Sequence, residues 1–217
     1  MLRAFFAAVL NLDNLQKSYG GKSVLNIPSF FFATGLHWLQ GKNGAGKSTL
    51  FRCIAGMAPF QGSIRLGKFD SEKDHRQYRL RVNYSEAEPL FPGFLSGKEM
   101  LQFVADAKQA DDSQLKELTE MFSLPLFYEN PASTYSSGMA KKISLVMAFL
   151  GKPELILLDE PFITLDRESV SVLAQLILKG RQYGTGYIIS SHPDFQKEDF
   201  SADYSWYLDK GNISLLS

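Results

Sequence analysis

Gly41-Lys42-Asn43-Gly44-Ala45-Gly46-Lys47-Ser48-Thr49 fits the pattern G-x-x-x-x-G-K-[ST] at every required position. Glycines in such a run let successive backbone N–H groups turn inward around a β-phosphate, and Lys47 adds a cation for the β and γ oxygens. The Ser48 hydroxyl suits Mg2+. Just before the run, Leu36-His37-Trp38-Leu39-Gln40 reads as a short strand. After it, Thr49 to Gly56 reads as a helix whose positive end faces the anion. Strand, glycine loop and helix together predict a nucleoside triphosphate site in an α/β fold. A glycine-rich turn that binds nothing would lack those flanking elements.

The bulk properties fit that site. A chain of 217 residues with 45% hydrophobic content can bury a core as one large domain. Its 23 basic residues balance 23 acidic ones without long runs of like charge, so no electrostatic footprint for nucleic acid appears. The single cysteine, Cys53, excludes an internal disulfide and falls in the helix after the phosphate loop, as a small buried apolar residue does. The apolar start, Met1 to Leu10, is far shorter than the ~20 residues that cross a bilayer and has no clear cleavage site; it reads as an extension.

Leu12 to Tyr19, Val24 to Phe32 and Gly62 to Leu66 read as strands of a β layer, with Gly20-Gly21 as a turn and Asn26 to Ser29 interrupting the second. From Ser96 to Phe122 the pattern becomes helical, opened by a Ser96/Glu99 capping box. A further helix spans about Gly138 to Leu150. Leu155-Ile-Leu-Leu158 and Tyr187-Ile-Ile189 are apolar without alternation, as buried parallel strands are, and a helix from about Arg167 to Leu178 separates them.

Two further motifs carry chemistry. Asp159-Glu160 ends an apolar strand, where α/β sheets place ligand chemistry. Adjacent strand residues point opposite ways, so Asp159 can hold Mg2+, through water, while Glu160 reaches toward a γ-phosphate to orient or deprotonate the attacking water. Tyr135-Ser136-Ser137-Gly138-Met139 opens a helix with hydroxyls and a glycine, a composition suited to offering N–H groups to an anion, although taken by itself it reads as an ordinary N-cap.

Phosphate loop, helical insertion, YSSGM, LILLDEP, Thr164-Leu165-Asp166 and Ser190-Ser191-His192, in that order, resemble the ATP-binding cassette ATPases across nearly the whole chain. The resemblance implies an α/β, P-loop NTPase core with a parallel sheet, an N-terminal antiparallel β subdomain and a helical insertion. The core would occupy about 12–86 and 140–217, the helical subdomain 87–139, and the extension 1–11. It also implies that ATP and Mg2+ bind along Gly41, Asn43, Gly44, Ala45, Gly46, Lys47, Ser48 and Thr49, and that Ser136, Ser137 and Gly138 form the signature. Tyr19, in Ser18-Tyr19-Gly20, would stack on adenine; His192 would be the switch histidine at the γ-phosphate.

One position departs from the family pattern. Tyr84-Ser85-Glu86-Ala87-Glu88-Pro89 puts Ala87 where the family's Q-loop has glutamine and Glu86 where it has proline. Glu88 could reach the metal or its water instead.

The YSxGM signature followed by Lys141-Lys142 is similar to those of two-component export cassettes, whose membrane subunits are separate chains. The resemblance therefore implies an ATPase subunit on the cytoplasmic face of a membrane, dimerising around two ATP and docking on a permease through the apolar Pro89-Leu-Phe-Pro-Gly-Phe94 segment. Packing of that segment against the helical insertion is an equally good reading. A soluble, non-transport cassette ATPase and a nucleotide-dependent regulator with little turnover are the alternatives.

Overall fold

The computed structural model describes residues 9–191 and 201–216. His192 and residues 1–8 lie outside them.

Two sheets organise the chain. In the four-stranded sheet, β1 (Leu10–Tyr19) lies between β2 (Lys22–Phe32) and β4 (Gln61–Leu66), with β5 (Phe69–Asp70) beyond β4, and all its pairings are antiparallel. The first strand begins at Leu10, inside the expected extension, because Leu10 pairs with both Phe32 and Leu66. The expected interruption of β2 does not occur: Asn26, Ile27 and Ser29 stay in register with Gln16, Leu15 and Asp13. Pro28 is tolerated because β2 is an outer strand of its sheet, where a missing N–H need cost no ladder bond.

The six-stranded sheet has the order β10-β9-β3-β8-β7-β6. Its strands are β3 (Leu36–Gln40), β6 (Val82–Ser85), β7 (Leu155–Asp159), β8 (Gly186–Ser191), β9 (Tyr204–Asp209) and β10 (Asn212–Leu215). Only the β9–β10 pairing is antiparallel. Both faces are covered. Leu36, Trp38, Ile156, Leu158, Tyr187 and Ile189 enter one core beneath the helices, while Leu39, Leu155, Leu157 and Ile188 enter the other with the β layer and the helix after the phosphate loop. That double burial explains the unbroken apolar runs of β7 and β8, each side chain contributing about 1.5–3 kcal/mol when fully buried.

The helices are α1 (Lys47–Ile54), α2 (His75–Arg79), α3 (Gly97–Lys108), α4 (Asp112–Met121), α5 (Ser137–Phe149) and α6 (Arg167–Gln182). The helical pattern from Ser96 to Phe122 resolves into α3 and α4, because Gln109 ends α3 in a left-handed conformation at φ 54°. The predicted capping box is present: Glu99 N donates to Ser96 Oγ at 3.2 Å, and Ser96 N donates to Glu99 Oε2 at 2.8 Å.

Strands β6, β9 and β10 have no counterpart in the sequence pattern. Half of β6 is polar, and those polar groups are satisfied inside the fold. Asn83 Nδ2 donates to the carbonyls of Ala148 and Leu150 at 2.8 and 2.9 Å, and the Ser85 and Ser144 hydroxyls bond at 3.0 Å. Hydrogen bonding to α5 and its C-terminal end replaces the apolar signal that marks a buried strand.

Candidate nucleotide site

The loop Gly41–Thr49 leaves the end of β3 and runs into α1. At the N-cap, Gly46 has φ 106°, and a Cβ there would stand 3.1 Å from Leu25 Cδ2 on β2. The left-handed backbone and the close approach of β2 together require glycine. The first turn of α1 carries no acidic side chain, and its N-cap is a glycine that makes no side-chain hydrogen bond, so the helix end suits an anion through its N–H groups and positive dipole.

A pocket of about 320 Å3 is lined by Val24, Asn43, Gly44, Ala45, Gly46, Lys47, Ser48, Thr49 and Glu160. The structure thus brings the phosphate loop and the end of β7 together. Lys47 is buried, and its Nζ donates to the Gly41 carbonyl at 2.7 Å while standing 3.8 Å from Glu160 Oε1.

Glu160 reaches the pocket by a route other than strand alternation. β7 ends at Asp159, and Glu160 itself has φ 43°, a left-handed conformation that costs a non-glycine residue on the order of 1–3 kcal/mol. Its neighbour Asp159 is buried, with Oδ1 accepting from Ser190 Oγ and Oδ2 from the Tyr84 hydroxyl at 3.2 Å. Burial, followed by the nearby Asp159 carboxylate, pushes the Tyr84 phenol far above its ordinary range, so it remains a donor.

Ser136, Ser137 and Gly138 open α5 away from this pocket's lining, with both serines exposed. Ser136 Oγ caps the helix by accepting from Met139 N at 3.2 Å. A Cβ on Gly138 would lie 2.8 Å from the Thr164 carbonyl oxygen, so the YSSGM turn packs tightly against the Thr164-Leu165-Asp166 loop. Lys142 bridges the same two segments through Asp166 Oδ2 at 2.7 Å. Lys142, together with the Ser169 N–H, holds the Asp166 carboxyl well below the usual carboxylate range.

Tyr19 ends β1 half exposed, with Lys17 Nζ 4.7 Å above its ring, and is not among the pocket's lining residues. Glu88, expected near the metal, is exposed on the loop after β6 and outside that lining too. Glu86 turns instead to Arg52 of α1, at 3.4 Å. Several residues shape the site in ways that the sequence motifs do not indicate. Val24 forms part of its wall, Tyr84 and Ser190 hold Asp159, and Lys141 is wholly buried behind it.

Comparison with known proteins agrees with this geometry. Residues 29–163 match the family described as ABC transporter. The chain belongs to the ABC transporter family. It is an ATP-binding cassette, an ATPase by class. It is 29% identical to the lantibiotic transport ATP-binding protein SrtF of Streptococcus pyogenes, over 95% of this chain and 90% of that one. It is 30% identical to the cytochrome c biogenesis ATP-binding export protein CcmA of Histophilus somni, over 81% of this chain and 84% of that one. Among solved structures, it is similar to an ATP-binding subunit of an ABC transporter, with a TM-score of 0.83, 26% identity and coverage of 96% of this chain and 90% of that one. It shares its fold with a dimeric, post-hydrolysis ATP-binding cassette bound to ADP and Pi, with a TM-score of 0.78, 18% identity and coverage of 96% and 99%.

Proposed function

We propose that this chain is the ATP-hydrolysing subunit of an exporter, in which two cassettes close around two ATP molecules and drive a separate membrane subunit from the cytoplasmic face. One observation carries the reading. The pocket joins the phosphate loop to Glu160, whereas the exposed Ser136-Ser137-Gly138 helix end lies outside its lining. A second chain can bring that helix end to the γ-phosphate, where its N–H groups and dipole favour the anion. The dimeric state of the structural neighbour and the export named for CcmA support this reading. Among the described residues, no helix is long and apolar enough to cross a membrane.

In this scheme the α1 N-terminus and Lys47 hold the β and γ oxygens. Glu160 accepts the proton of the attacking water; Tyr19 stacks on the base; His192 approaches the γ-phosphate. Ser48 and Asp159 suit Mg2+, since a hydroxyl and one carboxylate are what the ion takes from a protein when phosphates and waters complete its shell. The surroundings of Asp159 fit this role, because each carboxylate oxygen accepts one protein hydrogen bond and retains a lone pair for a metal-bound water. When bound, Mg2+ neutralises charge on the phosphates. The helices α3 and α4 then act as the subdomain at 87–139 that meets the permease.

Glu160→Gln tests the proposal, because it keeps shape and removes the proton acceptor. With Mg-ATP, light scattering should give twice the monomer mass at protein concentrations where the wild type reverts to monomer, and phosphate release should fall about 100-fold or more. A variant that stays monomeric and hydrolyses at the wild-type rate would defeat both the base and the sandwich.

A further inference from the structure

Lys141 lies on α5, one turn inside the YSSGM helix end, and is fully buried at 0% exposure. Buried lysines are rare unless their protons are satisfied. Here three carbonyl oxygens accept them: Glu86 at 2.6 Å, Ala87 at 3.3 Å and Asp159 at 2.7 Å. Three donors meet three acceptors, drawn from two segments that flank the site.

The third acceptor matters most. The Asp159 carbonyl belongs to the peptide unit whose N–H is that of Glu160, and this N–H donates to Ser190 Oγ at 3.0 Å. Both polar ends of one peptide plane are therefore held, and the next residue is Glu160 at φ 43°. Strained backbone of this kind persists only where its surroundings over-determine it. The same ammonium also fixes the loop at Glu86 and Ala87, the position at which this chain has a methyl group and no amide side chain.

We infer that Lys141 is a positioning residue for hydrolysis, holding the Asp159–Glu160 peptide plane so that the Glu160 carboxylate is aimed into the pocket, and tying the Glu86–Ala87 loop to the same point. This rests on the catalytic reading of Glu160. An apolar residue in its place would leave three carbonyl groups unpaired and free the peptide to rotate, misplacing the carboxylate without touching the phosphate loop.

The experiment compares Lys141→Met, Lys141→Gln and Ser144→Ala in the full chain, measuring equilibrium binding of a fluorescent ATP analogue and steady-state hydrolysis. Methionine keeps the buried stem without donors, and glutamine restores two N–H donors on a shorter arm. Ser144→Ala is the control, since it removes a buried polar link between α5 and β6 one turn further on. Lys141→Met should lower kcat about 10- to 100-fold, the scale of an ångström-sized misplacement, with affinity within about threefold of wild type. Lys141→Gln should recover part of the rate, and Ser144→Ala should keep all of it. Wild-type kcat in Lys141→Met, parallel loss of rate and affinity, or an equal loss in Ser144→Ala would overturn the inference. If Lys141→Met does not fold, Lys141→Gln decides by the same split: reduced kcat at retained affinity supports it, and any other result overturns it. A wild-type chain that fails to hydrolyse ATP would defeat the underlying reading; an active wild type with an equally active variant defeats the role of Lys141 alone.

Discussion

Lys47 Nζ stands 3.8 Å from Glu160 Oε1, so the cation of the phosphate loop and the carboxylate after β7 face each other within one pocket. Lys47 also donates to Gly41 O, which makes it a clasp for the loop it belongs to. In the proposed function, a triphosphate entering the pocket would offer Lys47 stronger partners than a carboxylate at that distance, and the exchange would leave Glu160 free to act on water. On that proposal the one contact would connect binding to catalysis.

The first prediction follows from the clasp. Lys47→Ala removes a charge-assisted hydrogen bond to phosphate worth ~1.5–3 kcal/mol, so Mg-ATP affinity should fall about 10- to 150-fold. Equilibrium binding of a fluorescent nucleotide measures it. An affinity within about twofold of wild type would remove Lys47 from the phosphate site.

The second concerns Tyr84. Its ring packs edge-on against Phe51 at 6.1 Å, and its hydroxyl donates to Asp159 Oδ2. Tyr84→Phe keeps the packing and deletes the donor, so hydrolysis should drop about 10- to 150-fold, as expected for one hydrogen bond to a charged group. The thermal midpoint should fall by a few degrees, since a buried carboxylate loses one donor. Ser190→Ala should cost more, because Ser190 serves both Asp159 and the Glu160 N–H. Equal rates for wild type and both variants would show that Asp159 needs neither partner.

What the sequence discloses and what it conceals separate along physical lines. The phosphate loop is legible because its chemistry lies in consecutive residues, and β7 and β8 because burial on both faces leaves uniform apolar runs. The supports of Asp159 are not, since Tyr84 lies 75 residues away in sequence and Ser190 lies 31 away. Both lie in recognisable motifs, but nothing local names Asp159 as their partner. Lys141 is hidden for a related reason: a lysine in an amphipathic helix reads as a solvated residue, and only the folded chain encloses it. Strand alternation points Glu160 to the pocket for an incomplete reason, as its left-handed backbone sets its direction. Glu88 adjoins the position of the missing glutamine in sequence, as Glu86 does, yet the loop leaves Glu88 exposed and turns Glu86 to Arg52.

The third prediction tests the packing of the YSSGM turn. In Gly138→Ala the new methyl would meet the Thr164 carbonyl at 2.8 Å, and Thr164 is itself left-handed at φ 66°, so neither backbone can give way cheaply. The turn should shift relative to the Thr164-Leu165-Asp166 loop. ATP-dependent dimerisation and hydrolysis should fall about tenfold or more, while binding of nucleotide to the monomer is retained. Light scattering beside nucleotide titration checks this; intact dimerisation would show that the contact with Thr164 has no part in closure.

The fourth prediction separates the two phenylalanines of the Pro89–Phe94 segment, which the sequence pattern does not distinguish. Phe94 is 84% exposed and Leu90 is 91% exposed, whereas Phe91 packs against the helical core. Burying a charge in place of Phe91 should therefore destabilise the fold itself, lowering the thermal midpoint by several degrees for a loss of about 2 kcal/mol or more. Phe94→Asp should leave the midpoint and the basal ATPase rate unchanged, because nothing in the core depends on that ring. If the segment is the docking surface for a permease, Phe94→Asp should nonetheless release the chain from membranes of cells that carry the permease. Fractionation of those membranes, with a thermal melt of each purified variant, reads both effects. Undiminished membrane association of a folded Phe94→Asp chain would move the docking surface elsewhere, and an unchanged melt for Phe91→Asp would show that its packing contributes nothing.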